Sequence, residues 1–223
     1  MNILVDSSPE HVVLLHGLFH RGLAVSLLAR RLRQAGFSTS IFSYPSRQKS
    51  LSTLAQDLYR FTEALEHNVE SLHFMGHSLG GLVILAMLEE YSQDLPQGRS
   101  VLLGSPVQGS KIARQLSEKS AGRLVLGRAR QGLTTACQYS RGYEVGVIAG
   151  IGSTGVSRLL GQLPEPNDGT VTVAETNLPE ANDSIEVASS HFGLLLNSEV
   201  SRQSAYFLRH GQFQRADDQF RLK

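Results

Sequence analysis

The stretch LHFMGHSLGGLVILAM, Leu72 to Met87, decides the fold. A short apolar run, Leu72 to Met75, meets a long one, Leu79 to Tyr91, and between them Ser78 stands among Gly76, Gly80 and Gly81. The first run has the length of a buried strand and the second that of a buried helix. A turn that passes directly from strand to helix strains the residue at its apex and brings the neighbours two positions away so close that a Cβ would clash. Glycine satisfies that constraint. The spacing therefore predicts a G-x-S-x-G nucleophile elbow, Gly76, His77, Ser78, Leu79 and Gly80, with the serine hydroxyl raised above the sheet at a helix N-terminus that favours developing negative charge.

Outward from the elbow the chain keeps alternating. Val12 to Leu15 reads as a buried strand, and the helical pattern of RGLAVSLLARRLRQAG stops at Gly36. STSIFSYP is a second strand closed by Pro45, and SLSTLAQDLYRFTEALEH is an amphipathic helix with Ser50 or Ser52 as its N-cap. Val101 to Leu103, Tyr143 to Ala149 and Ser184 to Ala188 complete the strands, and Glu199 to Leu208 is the closing helix. Strands alternating with helices predict an α/β fold, a mainly parallel sheet covered on both faces. The 223 residues are read as one domain, 1–223, with 110–142 as a helical cap segment.

The bulk numbers exclude several function classes. A net charge of +1 argues against the broad basic surface of a nucleic-acid binder. No apolar run approaches a membrane span and the start MNILVDSSPEH lacks the pattern of a signal peptide, so the chain is expected to be cytoplasmic. The single cysteine, Cys137, has no partner for a disulfide or a zinc site and reads as a packed thiol. No metal and no organic cofactor is expected.

A nucleophilic serine needs a base and the base an orienting carboxylate, in the chain order Ser, Asp or Glu, His. Of the eight histidines, His11, His16, His20, His67, His73 and His77 precede Ser78, leaving His191 and His210. His210 ends the last helix, where a histidine serves the helix dipole, whereas His191 follows a strand at the sheet edge where Ser78 should sit. For the acid, Asp168 in PEPNDGTV lies in a loop after the strand Glu144 to Ala149. Its rival Asp183 immediately precedes a strand and so belongs to the opposite edge. The expected oxyanion donors are the backbone N–H of Leu18, with Phe19 second, and that of Leu79, with His16 and Gly17 shaping the first of these turns.

These residues carry a resemblance. LLHGLFHRG, LHFMGHSLGGL, LLGSPVQGS, YEVGVIAG, DGTVTVAET and SHFGLLLNSEVSRQSAYFLRHGQF are similar to stretches of α/β-hydrolases, more narrowly of small bacterial lipase and esterase-like proteins related to the triacylglycerol lipases. The resemblance implies Ser78, Asp168 and His191 as a catalytic triad, Leu18 and Leu79 as oxyanion donors, and cleavage of carboxylic esters. Because the first buried strand begins near Val12, the first two strands of the larger hydrolases are expected to be missing. An acyltransferase or thioesterase would use the same triad, and a non-catalytic hydrolase-fold binding protein is the alternative from another class.

Two stretches invite competing readings. GIGSTG, Gly150 to Gly155, matches a dinucleotide-binding fingerprint with Glu175 downstream, but VSRLLGQL is cut short by Pro164 and Pro166 and cannot complete a crossover helix. From Ser110 to Gly142 the segment holds Lys111, Arg114, Lys119, Arg123, Arg128, Arg130 and Arg141 against Glu118 alone. Ile112, Leu116, Leu124, Val125, Leu126 and Leu133 are interleaved. Either this is a solvated helical face, or it is a cap whose apolar side forms an acyl pocket and whose basic side makes peripheral contact with anionic lipid.

Overall fold

The computed structural model describes residues 10–19, 22–65, 69–140, 142–153, 163–164 and 166–215. Six strands form one sheet: β1 (Glu10–Leu15), β2 (Ser38–Phe42), β3 (Ser71–His77), β4 (Arg99–Leu103), β5 (Glu144–Gly150) and β6 (Asp183–Val187). Their order is β2-β1-β3-β4-β5-β6, and every neighbouring pair is parallel. Among the described residues β1 is the first strand of this sheet and β2 its outer strand on that side.

The continuous apolar runs are explained by burial on both faces. Along β1, Val13 and Leu15 enter one core layer and Val12 and Leu14 the other, the period-two alternation of a strand. The first layer packs beneath α2 (Leu51–Glu63) and α3 (Leu79–Tyr91), through Leu54, Leu58, Leu82 and Leu85. The second packs beneath α1 (Ser26–Gln34), through Leu28 and Leu32, and beneath the closing helix Ser198–His210, through Phe207 and Leu208. Helix α3 is buried almost all round, which is why its sequence shows hardly a polar face. Ser50 is the N-cap of α2, its Oγ accepting the Thr53 N–H at 3.2 Å. The second strand ends at Phe42 instead of Pro45, because Tyr44 turns inward to pack on His16.

After β1 the chain adds β2 on one side and then crosses to place β3 on the other. A crevice opens at such a reversal, outside the carboxyl ends of the strands. Register carries His77 level with Leu103, and Leu103 level with Ile148, so the loops after β1, β3, β4 and β5 meet at one edge.

At the far edge, the β3 residue His73 is buried with its Nδ1 accepting the Arg99 N–H at 3.0 Å and its Nε2 facing Glu10 at 3.7 Å. Burial first, then the Arg99 charge, lowers its pKa from 6.5 to about 4. The unfolded chain therefore takes up a proton that the folded one refuses, and stability is lost as pH falls from 6.5 towards 4. His73→Asn, which keeps an acceptor for Arg99, should flatten that slope in urea titrations at pH 7 and pH 5; equal acid losses in both proteins would remove His73 as the cause.

Candidate active site

Ser78 has φ 55° and ψ −120°, the strained apex the sequence predicts. A Cβ on Gly76 would lie 2.5 Å from Gly81 N, and one on Gly80 would lie 2.8 Å from the carbonyl oxygens of both Leu15 and His16. Glycine is required at both. The Ser78 N–H donates to Leu103 O at 2.9 Å, which pins the apex to β4. Leu79, the first residue of α3, buries its side chain and contributes one of the first-turn amides that no carbonyl within a helix can reach.

Asp168 lies in the loop after β5 and is buried. Its Oδ1 accepts the N–H groups of Thr170 at 2.9 Å and Val171 at 2.7 Å, and its Oδ2 accepts His191 Nδ1–H at 2.6 Å. The His191 backbone N–H donates to Asp168 O at 2.9 Å, so acid and histidine are joined by main chain as well as side chain. Asp183 is elsewhere: it opens β6, and its carboxylate accepts from Ser184 N, Phe213 N and Arg215. Beneath the Asp168–His191 pair sits Gly104, at φ 54°, where a Cβ would be 3.0 Å from Asp168 Oδ2 and 3.2 Å from His191 Nδ1. The sequence carried its signal in LLGSP, a glycine directly after a strand, but not its role.

The turn after β1 is shaped from below. His16 stacks on Tyr44 with centroids 4.4 Å apart and planes 8° apart. Tyr44 N–H donates to His16 Nε2 at 3.3 Å, so Nδ1 carries the ring proton and donates to Gly17 O at 2.9 Å. The Tyr44 hydroxyl closes on His16 O at 2.5 Å. His16 thus holds a loop. Gly17 lies against Ser78, Leu18 lines the cavity in front of it, and Phe19 takes a positive φ of 64°.

That cavity, of about 360 Å³, is bounded by Leu18, His77, Ser78 and His191 on the sheet side and by Ile112, Leu116, Leu126 and Leu133 on the other. The opposing wall belongs to α4 (Lys111–Glu118), α5 (Ser120–Leu126) and α6 (Arg130–Thr134). Lys111, Arg114, Lys119, Arg123, Arg128 and Arg130 are exposed on its outside, and Arg141 lies outside the described residues. Leu124 and Val125 differ from expectation: they are 75% and 40% exposed, because the short α5 turns Gly122 and Leu126 inward and these two away. Two attachments were invisible in the sequence. Arg47 Nη2 donates to Leu124 O at 2.9 Å while Arg128 N–H donates to Arg47 O at 2.9 Å. Glu175 accepts from Thr172 N at 2.8 Å and from Lys111 N, tying the Asp168 loop to the start of α4.

The dinucleotide reading fails here on another ground. A Cβ on Gly150 would lie 2.7 Å from Asp168 Cβ, so this glycine admits the acid loop, and Glu175 is a capping residue; Val156 to Gln162 lie outside the described residues. Burial pushes the Cys137 thiol up to about 11, which leaves it protonated and unreactive at neutral pH. Among the described residues no group of three or more His, Cys, Asp or Glu is placed to hold a metal ion, and no helix is long and apolar enough to cross a membrane.

Residues 12–189 match the model of the alpha/beta hydrolase family. No curated protein is similar enough in sequence to count as a relative. Among solved structures, the mature form of a Bacillus licheniformis lipase superimposes with a TM-score of 0.69 at 18% identity, covering 91% of each chain. A metagenomic carboxyl esterase gives 0.67 at 17% identity, over 82% of this chain and 64% of that one. A thioesterase of the prodiginine biosynthetic pathway in Streptomyces coelicolor gives 0.59 at 13% identity, over 92% and 91%. At these identities the likeness is one of fold.

Gly104→Ala should cost about 1–2 kcal/mol for the left-handed backbone alone, and its methyl would also press on the Asp168–His191 pair. Denaturant unfolding should register the loss, and wild-type stability in the variant would show that the backbone there relaxes freely.

Proposed function

We propose that this chain, which belongs to the alpha/beta hydrolase family, cleaves carboxylic esters through an acyl-enzyme on Ser78. The observation that carries the proposal is the 2.6 Å contact of His191 with a buried Asp168, at a cavity that Ser78 also lines. In that reading His191 Nε2 takes the Ser78 Oγ proton as the oxygen attacks the ester carbonyl, and Asp168 holds the Nδ1–H tautomer and stabilises the imidazolium. The N–H groups of Leu18 and Leu79 receive the developing oxyanion. The tetrahedral adduct collapses, His191 returns the proton to the departing alcohol, and water repeats the sequence to release the acid.

The lipase, the esterase and the thioesterase that share the fold support acyl transfer from oxygen or sulfur. The apolar wall of Ile112, Leu116, Leu126 and Leu133 suits a hydrocarbon acyl chain. A thioesterase or acyltransferase would differ only in leaving group or acceptor. Matched oxygen and thiol esters of one acyl chain separate these.

A second reading concerns where such substrates are met. Phe19 and Phe192 at the cavity and Leu124 beside it are 59%, 47% and 75% exposed. Arg47 lies over the Phe19 ring at 5.5 Å, and Arg123 and Arg128 flank Leu124 in the chain. Apolar side chains ringed by cations fit the surface of an anionic bilayer. Vesicles of mixed neutral and anionic phospholipid should sediment the protein, less so at high salt, and Leu124→Ser with Phe192→Ser should abolish it; retention that ignores lipid charge and both substitutions would sink this second reading.

For the chemistry itself, Ser78→Ala should lower ester turnover by about three orders of magnitude or more in a folded protein. Asp168→Asn should lower it by about 10⁴ through the wrong imidazole tautomer, whereas Asp183→Asn should leave it close to wild type. Reversal of the two aspartate results would reassign the acid.

A further inference from the structure

His77 is the last residue of β3, and its peptide leads directly into Ser78. Its imidazole is buried beside the cavity. Nε2 lies 2.9 Å from the backbone carbonyl oxygen of His191, and the two rings pack with centroids 4.6 Å apart at 46°. A carbonyl can only accept, so His77 Nε2–H is the donor. On the opposite side of the ring, a Cβ at Gly17 would meet Nδ1 at 3.0 Å. One imidazole is therefore wedged between the turn after β1 and the loop that carries His191.

We infer that His77 is a positioning residue that sets the distance between Ser78 and His191. The inference rests on the reading of those two as nucleophile and base. His191 belongs to no strand or helix; it lies in the loop between β6 and the short turn Gly193–Leu195. Its main chain is held at two points, the N–H by Asp168 O and the C=O by His77 Nε2. Asp168 is itself on a loop, whereas His77 belongs to a sheet strand and refers His191 to it. The same residue fixes Ser78 through its backbone and His191 through its side chain. Proton transfer needs the base within hydrogen-bond reach of Oγ, and a displacement of about 1 Å costs on the order of a hundredfold in rate.

Two substitutions separate the hydrogen bond from the packing. His77→Phe keeps a ring against His191 and loses the donor; His77→Gln loses the ring and keeps an N–H in reach of the carbonyl. The readouts are the rate of Ser78 labelling by a fluorophosphonate, kcat and KM on a short-chain chromogenic ester, and the melting temperature. Labelling and kcat should fall about tenfold to a hundredfold in His77→Phe with KM little changed, and His77→Gln should recover most of that loss. Equal losses in both variants, or a Phe variant as fast as wild type, would overturn the inference. Should the Phe variant not fold, a Gln variant slowed tenfold or more overturns it, and one close to wild type with an unchanged pH profile supports it. A wild-type protein that the probe does not label would instead defeat the underlying hydrolase reading.

Discussion

The site depends on one close approach of backbones. Gly76 near the end of β3 lets the strand touch the main chain of Gly80 and Gly81 at the start of α3, where a side chain would hold the two apart; Gly80 in turn meets the main chain of Leu15 and His16, and Gly81 meets Ser105 and Leu102. From that contact follow the strained dihedrals of Ser78, the exposure of its hydroxyl to the cavity and the meeting of the first amides of α3 with the turn after β1. Strain of this kind, on the order of 1–3 kcal/mol, persists only where its surroundings over-determine it. Here a bond to Leu103 O and a helix buried almost all round do so.

The second constraint is electrostatic. A carboxylate buried as deeply as Asp168 is tolerated when its lone pairs are taken up, and here two backbone N–H groups and the His191 ring take them. The loop between Asp168 and Val171 is folded around its own acid, with Asp168 N–H returning to Val171 O at 3.0 Å. Glu175 then couples that loop to the helices above the cavity, since one carboxylate serves both Thr172 and Lys111. Acid loop and cavity roof are parts of one hydrogen-bonded unit.

What was legible in the sequence obeyed local rules. The buried strands declared themselves by apolar runs, the strained turn at Ser78 by glycine spacing, and the meeting of His191 with Asp168 by chain order and by position relative to the strands. What was hidden depends on contacts between residues far apart in sequence. Nothing near Arg47 says that its side chain reaches Leu124 O, and nothing near His77 says that its ring meets His191. Nor does the spacing of Glu175 from the glycines of GIGSTG say that its carboxylate takes the N–H groups of Thr172 and Lys111. The outward turn of Leu124 and Val125 follows from the shortness of α5, and helix boundaries are what periodicity locates least well.

The roof is not an appendage laid over an otherwise complete core. Ala113, Leu126 and Leu133 line the cavity and also belong to the hydrophobic layer of α2 and α3. Ile112 lines the cavity without belonging to that layer, and Leu116 only packs against it. The wall is therefore of two kinds. Truncating a buried leucine in a packed layer costs about 2–5 kcal/mol, a large share of a marginal folding free energy of about 5–15 kcal/mol. Pocket shape at Leu126 and Leu133 is thus bound to folding, while at Ile112 and Leu116 it is freer to vary. Along the cavity wall, Ile112 and Leu116 of α4 are thus the positions where a change of volume least disturbs the hydrophobic layer of α2 and α3.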